Sequence, residues 1–215
     1  MPNACTSPGV VTKIRGSDGV ILGTFAVGVG PLGGIAFDGS NIWVANFYGG
    51  NVTKLRASDG TNLGTFSVGA AANGIAFDGA NIWVADGVSN VIKLRASDGT
   101  YLGTFAVGSG PAGIAFDGAN MWIANNGDGT VTKLRASDGT NVGTFAVGSE
   151  PGSIAFDGIN IWLTATQSGG QVIQLRASDG AILGVFSVGN PPLGITFDGA
   201  NIWVTSQGDN AAIKM

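Results

Sequence analysis

The chain has 215 residues, of which 44% are apolar, 11% are charged and 38 are glycine, with a formal net charge of −4. That balance excludes a disordered polyelectrolyte, and no run reaches the ~18 apolar residues of a membrane helix, so a soluble protein with no membrane partner is expected. The sequence contains no histidine, which excludes Ser-His-Asp and Cys-His nucleophile systems and zinc sites built on imidazole.

Residues 1–9 read MPNACTSPG, with neither the basic start nor the apolar centre of a secretory signal. They are expected to form a tail. The compartment stays open between the cytoplasm and a location reached after removal of a signal. Cys5 is the single cysteine, so no disulfide framework supports the fold and the residue reads as a tail thiol.

From residue 10 onward one unit of roughly 40 residues recurs. The five tryptophans, Trp43, Trp83, Trp122, Trp162 and Trp203, fall at steps of 40, 39, 40 and 41 residues. Each unit reads as strand A (GIAF), an FDG turn, strand B (NIWVA), a variable loop, strand C (VTKLRA), an SDG turn and strand D (LGTFSVG). Asp-Gly between apolar runs favours a hairpin, because glycine accepts positive φ at no steric cost and aspartate tolerates it. The result is an antiparallel four-stranded meander with two apolar faces, which is buried only when copies stack. Residues 10–215 are therefore expected to form a single all-β domain, a five-bladed β-propeller without helices.

The two ends of the chain bear on how such a ring closes. It opens with a C-like segment, residues 10–15 (VVTKIR), followed by an SDG turn and a D strand over 21–27, and it ends with another C-like segment, residues 212–215 (AIKM). The fifth blade is expected to pair strands from both termini. For its third place the N-terminal segment is favoured, because its SDG hairpin is intact while the final segment stops short.

The succession GxPxGIAFDG, IWVAN, NVTKLRASDG and LGTFxVG resembles the YVTN family of β-propeller repeats, with IWVAN in place of the tyrosine-valine-threonine-asparagine signature. It is also similar to the repeats of virginiamycin B lyase and its relatives. The resemblance covers the chain from about Val10 to the end and implies the blade fold. The lyase relatives rely on histidine with a metal, and with no histidine here that activity does not carry over. No cofactor and no metal site are expected.

Charge divides the molecule. Nine of the ten basic residues lie in C strands, and ten of the fourteen acids are the aspartates of the two turn types, leaving Asp86, Asp128, Glu150 and Asp209 in B–C or D–A loops. In a meander the A–B and C–D turns share one face and the B–C and D–A loops the other. The first face is monotonous; the second varies and should carry negative potential, which argues against nucleic acid. Candidate binding residues on it are Asn46, Phe47, Tyr48, Asp86, Asn125, Asn126, Asp128, Glu150, Gln167, Gln207 and Asp209. Phe47 and Tyr48 suit sugar or peptide contact, or are a loop-packing pair. The repeated Arg and Asp three residues apart read as structural ion pairs, and the tryptophans as packing between blades.

Three readings of function stay open at this point. The chain is a non-catalytic monomeric scaffold that binds a small molecule, sugar or protein through the varied face, a recently amplified or engineered repeat without a ligand, or a carboxylate- and metal-dependent lyase or hydrolase. The last is weakened because A strands carry no acid beyond the turn, and the loops NGDG and QGDN each offer too few oxygens for calcium.

Overall fold

A computed structural model describes residues 7–148, 150–166 and 169–215. Cys5, most of the N-terminal tail and Gln167 lie outside them. The chain is an all-β, five-bladed β-propeller, and among the described residues there is no helix.

Strands β1 (Pro8–Ile14) and β2 (Ile21–Val29) form a separate two-stranded sheet. Four blades follow with four strands each. They are β3 (Ile35–Phe37), β4 (Asn41–Asn46), β5 (Asn51–Arg56) and β6 (Asn62–Ser67); β7 (Ile75–Phe77), β8 (Asn81–Ala85), β9 (Asn90–Arg95) and β10 (Tyr101–Ala106); β11 (Pro111–Phe116), β12 (Asn120–Asn125), β13 (Thr130–Arg135) and β14 (Asn141–Ala146); and β15 (Pro151–Phe156), β16 (Asn160–Ala165), β17 (Gln171–Arg176) and β18 (Ile182–Ser187). The fifth blade has three strands, β19 (Pro192–Phe197), β20 (Ile202–Ser206) and β21 (Ala211–Lys214).

The third place of the last sheet therefore belongs to the C-terminal segment, with Trp203 opposite Lys214, and not to residues 10–15 as expected. β1 is laddered to β2 alone. The physical reason is locality. β21 follows β20 through a short loop, whereas β1 lies some two hundred residues away and recruiting it costs far more loop-closure entropy.

Contacts group the chain into two compact units, one of Met1–Val88 with Ile92–Thr104 and one of Ser89–Val91 with Phe105–Met215. In the first unit the face of the first blade carrying Trp43, Val52 and Phe66 packs on Ile75, Ile82, Ile92, Leu94 and Ala96 of the next. In the second unit Trp122, Val131 and Phe145 pack in the same way on Ile161, Ile173 and Leu175. First strands of neighbouring blades run close together: Gly34 N donates to Asn73 O at 2.9 Å, and Gly113 lies against the carbonyl of Gly152. These positions leave no room for a side chain.

One polar device recurs at every tryptophan. The indole Nε1 donates to the carboxylate of the FDG aspartate five residues earlier: Trp43 to Asp38 at 2.8 Å, Trp83 to Asp78 and Trp122 to Asp117 at 2.7 Å, Trp162 to Asp157 and Trp203 to Asp198 at 2.6 Å. The same carboxylate accepts backbone N–H groups across its turn, as Asp38 does from Ser40 and Asn41. The turn and the packing face are thus tied to one another, and a buried indole N–H is satisfied.

A second device joins blades. Lys54 lies over the ring of Trp43 at 5.1 Å and donates to Ala96 O at 2.7 Å and Ser97 O at 2.9 Å in the SDG turn of the next blade. Lys133 repeats this with Trp122 at 4.8 Å and Ala177 O at 2.7 Å, and Lys13 reaches Ala57 O and Ser58 O. The Lys54 and Lys133 ammonium groups are buried yet satisfied by carbonyls and an indole face, whereas Lys13 is half-buried and held by carbonyls. The five expected Arg–Asp pairs, such as Arg56–Asp59, span 2.8–3.1 Å with both side chains about half exposed. Each is worth about 0–1 kcal/mol.

The turn aspartates set the response to acid. At Asp117 burial raises the pKa, but hydrogen bonds from Trp122, the Ala119 and Asn120 backbones and the Asn120 amide outweigh it and hold the carboxyl below 3.8. At Asp59 and Asp98 the backbone N–H groups of Thr61 and Thr100 act first, and the value falls to about 2. A lowered folded-state pKa gives stability that is complete above the unfolded value and is lost as pH falls through the folded one. Urea unfolding midpoints are expected to be level from neutrality to about pH 5 and to drop between about pH 4 and 2. A midpoint unchanged at pH 3 would contradict this account of the turns.

Candidate functional site

The loops between strands B and C separate the expected site residues into those that hold the loops and those that face solvent. Asn46 and Asn125 end β4 and β12 and are completely buried. Asn46 Nδ2 donates to Asn51 Oδ1 at 2.8 Å and Thr53 Oγ1 at 2.9 Å; Asn125 Nδ2 donates to Thr130 Oγ1 at 2.9 Å and Thr132 Oγ1 at 2.8 Å. Asp86 is also buried, with its Oδ1 accepting from Val88 N at 2.8 Å. These three brace the loops from inside and do not reach a ligand at the surface.

In the first unit Phe47 is half-buried and Tyr48 exposed, their rings edge to face at 5.2 Å. Tyr48 folds over Gly30 of the preceding D–A connection, where positive φ and the ring together require glycine. The pair closes one loop over another and leaves the outer side of the Tyr48 ring in water.

In the second unit the loop of residues 126–129 forms one wall of an open cavity of about 530 Å³. It is lined by Asn126, Gly127, Asp128, Gly129, Ala146, Gly148 and Glu150, so residues from a B–C loop and a D–A loop meet there. Asp128 is exposed and fixed: Oδ2 accepts from Ser109 N at 2.8 Å and Oδ1 from Thr130 Oγ1 at 2.7 Å. Asn126 Nδ2 donates to Pro151 O at 3.3 Å. Glu150, in the left-handed region at φ +50°, receives Thr166 Oγ1 on Oε2 at 2.8 Å. Asp128, with one bond on each carboxylate oxygen, retains further lone pairs, so this wall presents an anionic acceptor held in place. No basic residue lines it.

Gln207 and Asp209 are exposed on the last blade. Gln207 N donates to Pro191 O at 3.0 Å, and Asp209 Oδ2 accepts from Ser206 Oγ at 2.8 Å. Among the described residues no group of three or more acidic or cysteine side chains converges on a point where a metal ion would sit. The aspartates on the opposite face are engaged by the tryptophans and their own turns. The expected face thus divides into braces (Asn46, Asp86, Asn125), an aromatic closure (Phe47, Tyr48) and an acidic recess (Asn126, Asp128, Glu150), with Gln207 and Asp209 on the last blade.

The fold and loop geometry define a β-propeller with an acidic recess at Asn126, Asp128 and Glu150. No protein-family profile matches the chain, and no curated protein matches its sequence. Solved structures do. Hydrazine synthase from Kuenenia stuttgartiensis superposes with a TM-score of 0.72 at 20% identity, over 82% of this chain and 55% of that one, so the chain spans about half of its length. A proposed 6-phosphogluconolactonase from Bacteroides uniformis gives 0.78 at 16% identity, over 98% and 74%. A protein of unknown function from Desulfotomaculum acetoxidans gives 0.75 at 14% identity, over 96% and 75%. At such identities the likeness is one of fold.

Proposed function

We propose that the chain is a non-catalytic binding propeller whose ligand is a polar molecule bearing hydroxyl or ammonium groups, such as a sugar or an amine, held at the acidic recess. The observation that supports this reading is the recess itself, where Asp128 and Glu150 meet from different loops over a cavity of about 530 Å³, in the size range of small-ligand sites. A lactonase or hydrazine synthase reading taken from the names of the fold neighbours finds no support in side chains. Strand A carries no titratable group, and each FDG aspartate already binds an indole and its own turn.

Calorimetry against a panel of neutral and amino sugars tests the reading. The pair Asp128→Asn and Glu150→Gln is expected to weaken binding of a responding sugar by at least about tenfold, or ~1.4 kcal/mol, with little change in unfolding midpoint. Equal affinity in the double variant would remove the recess as the site.

A further inference from the structure

The sequence holds two Asn-Gly pairs, Asn73–Gly74 and Asn126–Gly127. Asparagine is chemically labile, most of all before glycine, whose nitrogen can close on the side-chain amide because no Cβ shields it and its backbone turns freely. The fold places the two pairs in different surroundings.

Asn73–Gly74 sits where two blades meet. Asn73 N donates to Ala85 O, Asn73 O accepts from Gly34 N of the preceding blade, and Gly74 O accepts from Ala85 N, each at 2.9 Å. The peptide is held from both sides, and turning it to close a ring would break the bond between blades.

Asn126–Gly127 lies in the turn of residues 126–129 between β12 and β13, with Gly127 exposed. Asn126 N donates to Gly110 O at 3.0 Å and Gly127 N to Ser109 O at 2.9 Å, so the segment rests on a loop and not on a neighbouring strand. The Asn126 amide is held by a long bond of 3.3 Å to Pro151 O. Packing itself requires glycine here: a Cβ on Gly127 would come within 2.9 Å of Ser109 Oγ, and one on Gly110 within 3.0 Å of Gly127 N. The same close approach leaves the Gly127 nitrogen unshielded. The turn aspartates also precede glycines, but their carboxylates are occupied by an indole, as Asp117 is by Trp122, or by an arginine, as Asp138 is by Arg135.

We propose that Asn126 is a site of spontaneous deamidation, at which the chain changes its own charge with age. Gly127 N loses its proton to hydroxide, releases Ser109 O and attacks Asn126 Cγ. The new N–Cγ bond closes a five-membered imide as the Cγ–Nδ2 bond breaks, and the nitrogen takes a proton from water and leaves as ammonia. Water then opens the ring. Cleavage of the N–Cγ bond gives aspartate, and cleavage at the backbone carbonyl gives isoaspartate. The sum is amide plus water to carboxylate plus ammonia, a covalent change that adds negative charge. The product cannot donate to Pro151 O, so that tie between the loops is lost. The recess wall that Asn126 shares with Asp128 and Glu150 gains a carboxylate.

Prolonged incubation of the full chain in mildly alkaline buffer tests this. Trypsin separates the two pairs, because residues 57–93 carry Asn73 and residues 96–133 carry Asn126. Fragment masses and an isoaspartate-specific methyltransferase locate the product. In the folded chain, conversion at Asn126 is expected to be at least about tenfold faster than at Asn73. In concentrated guanidinium chloride the two rates should converge, since both pairs then lose their surroundings. Asn126→Gln keeps an amide but lengthens the ring to be closed, and should abolish product at that position. Equal rates at the two pairs in the folded chain, or no product at Asn126 over a period in which the denatured chain converts it, would overturn the proposal.

Discussion

Trp122→Ala is expected to lower the unfolding free energy by about 3–5 kcal/mol, the range for removing a fully buried aromatic side chain. Its indole stacks on Phe145 at 5.7 Å, lies under the Lys133 ammonium at 4.8 Å and donates to Asp117. Truncation leaves a cavity between two blades and deprives Asp117 and Lys133 of a partner, so the cost exceeds lost apolar area alone. Trp203→Ala is the internal control. That ring makes the same bond to Asp198 but is 37% exposed, so about 1–2 kcal/mol is expected. Urea denaturation followed by circular dichroism measures both. Equal losses at the two positions would refute the assignment of the tryptophans to packing between blades.

Gly139→Ala should cost about 3 kcal/mol, and Gly19→Ala about 1 kcal/mol, although both are the same residue of the same SDG turn. Their φ angles are +77° and +74°, so the penalty for an L side chain in the left-handed region is shared. They differ in space. A Cβ at Gly139 would fall inside the ring of Phe105, whereas at Gly19 it meets nothing within 4 Å. Expelling Phe105 exposes a large apolar group and disrupts the blade contact. The difference between the two midpoints therefore reports the phenylalanine, with backbone strain subtracted. Equal midpoints would mean that the ring does not seat on the turn in solution.

The blade was readable because its signals are local: alternating apolar residues, Asp-Gly punctuation and tryptophan spacing. The partners of the tryptophans were less so. Asp and Trp stand five residues apart in every copy, a regularity visible in the sequence, yet the aspartate reads first as a turn former, and its second oxygen is spoken for only once the hairpin is folded. The lysine contacts were further out of reach, since Lys54 finds its carbonyls 42 and 43 residues away. Strand C was legible as basic but not as a strand whose lysines point inward.

At the site, Asn46 and Asn125 were read as loop residues when they are the last residues of strands. A signal was present. Asparagine stands at this position only where strand C carries threonine, Thr53 and Thr132, while Asp86 and Ala165 accompany Ile92 and Ile173. That pairing marks a buried amide–hydroxyl contact. Asp128 and Glu150 do not pair within a copy. Their proximity depends on how one loop lies against the next, which the repeat does not encode.

The central claim is that repeated residues carry stability while the loop residues that differ between copies carry binding. Backbone amide chemical-shift mapping with a responding amino sugar tests it most directly. Shifts are expected at Ser109, Asn126 to Gly129, Glu150 and Thr166, and not at the SDG and FDG turns. Shifts concentrated on Asp59, Asp98 and Asp138, with the amides of residues 126–129 unmoved, would contradict it.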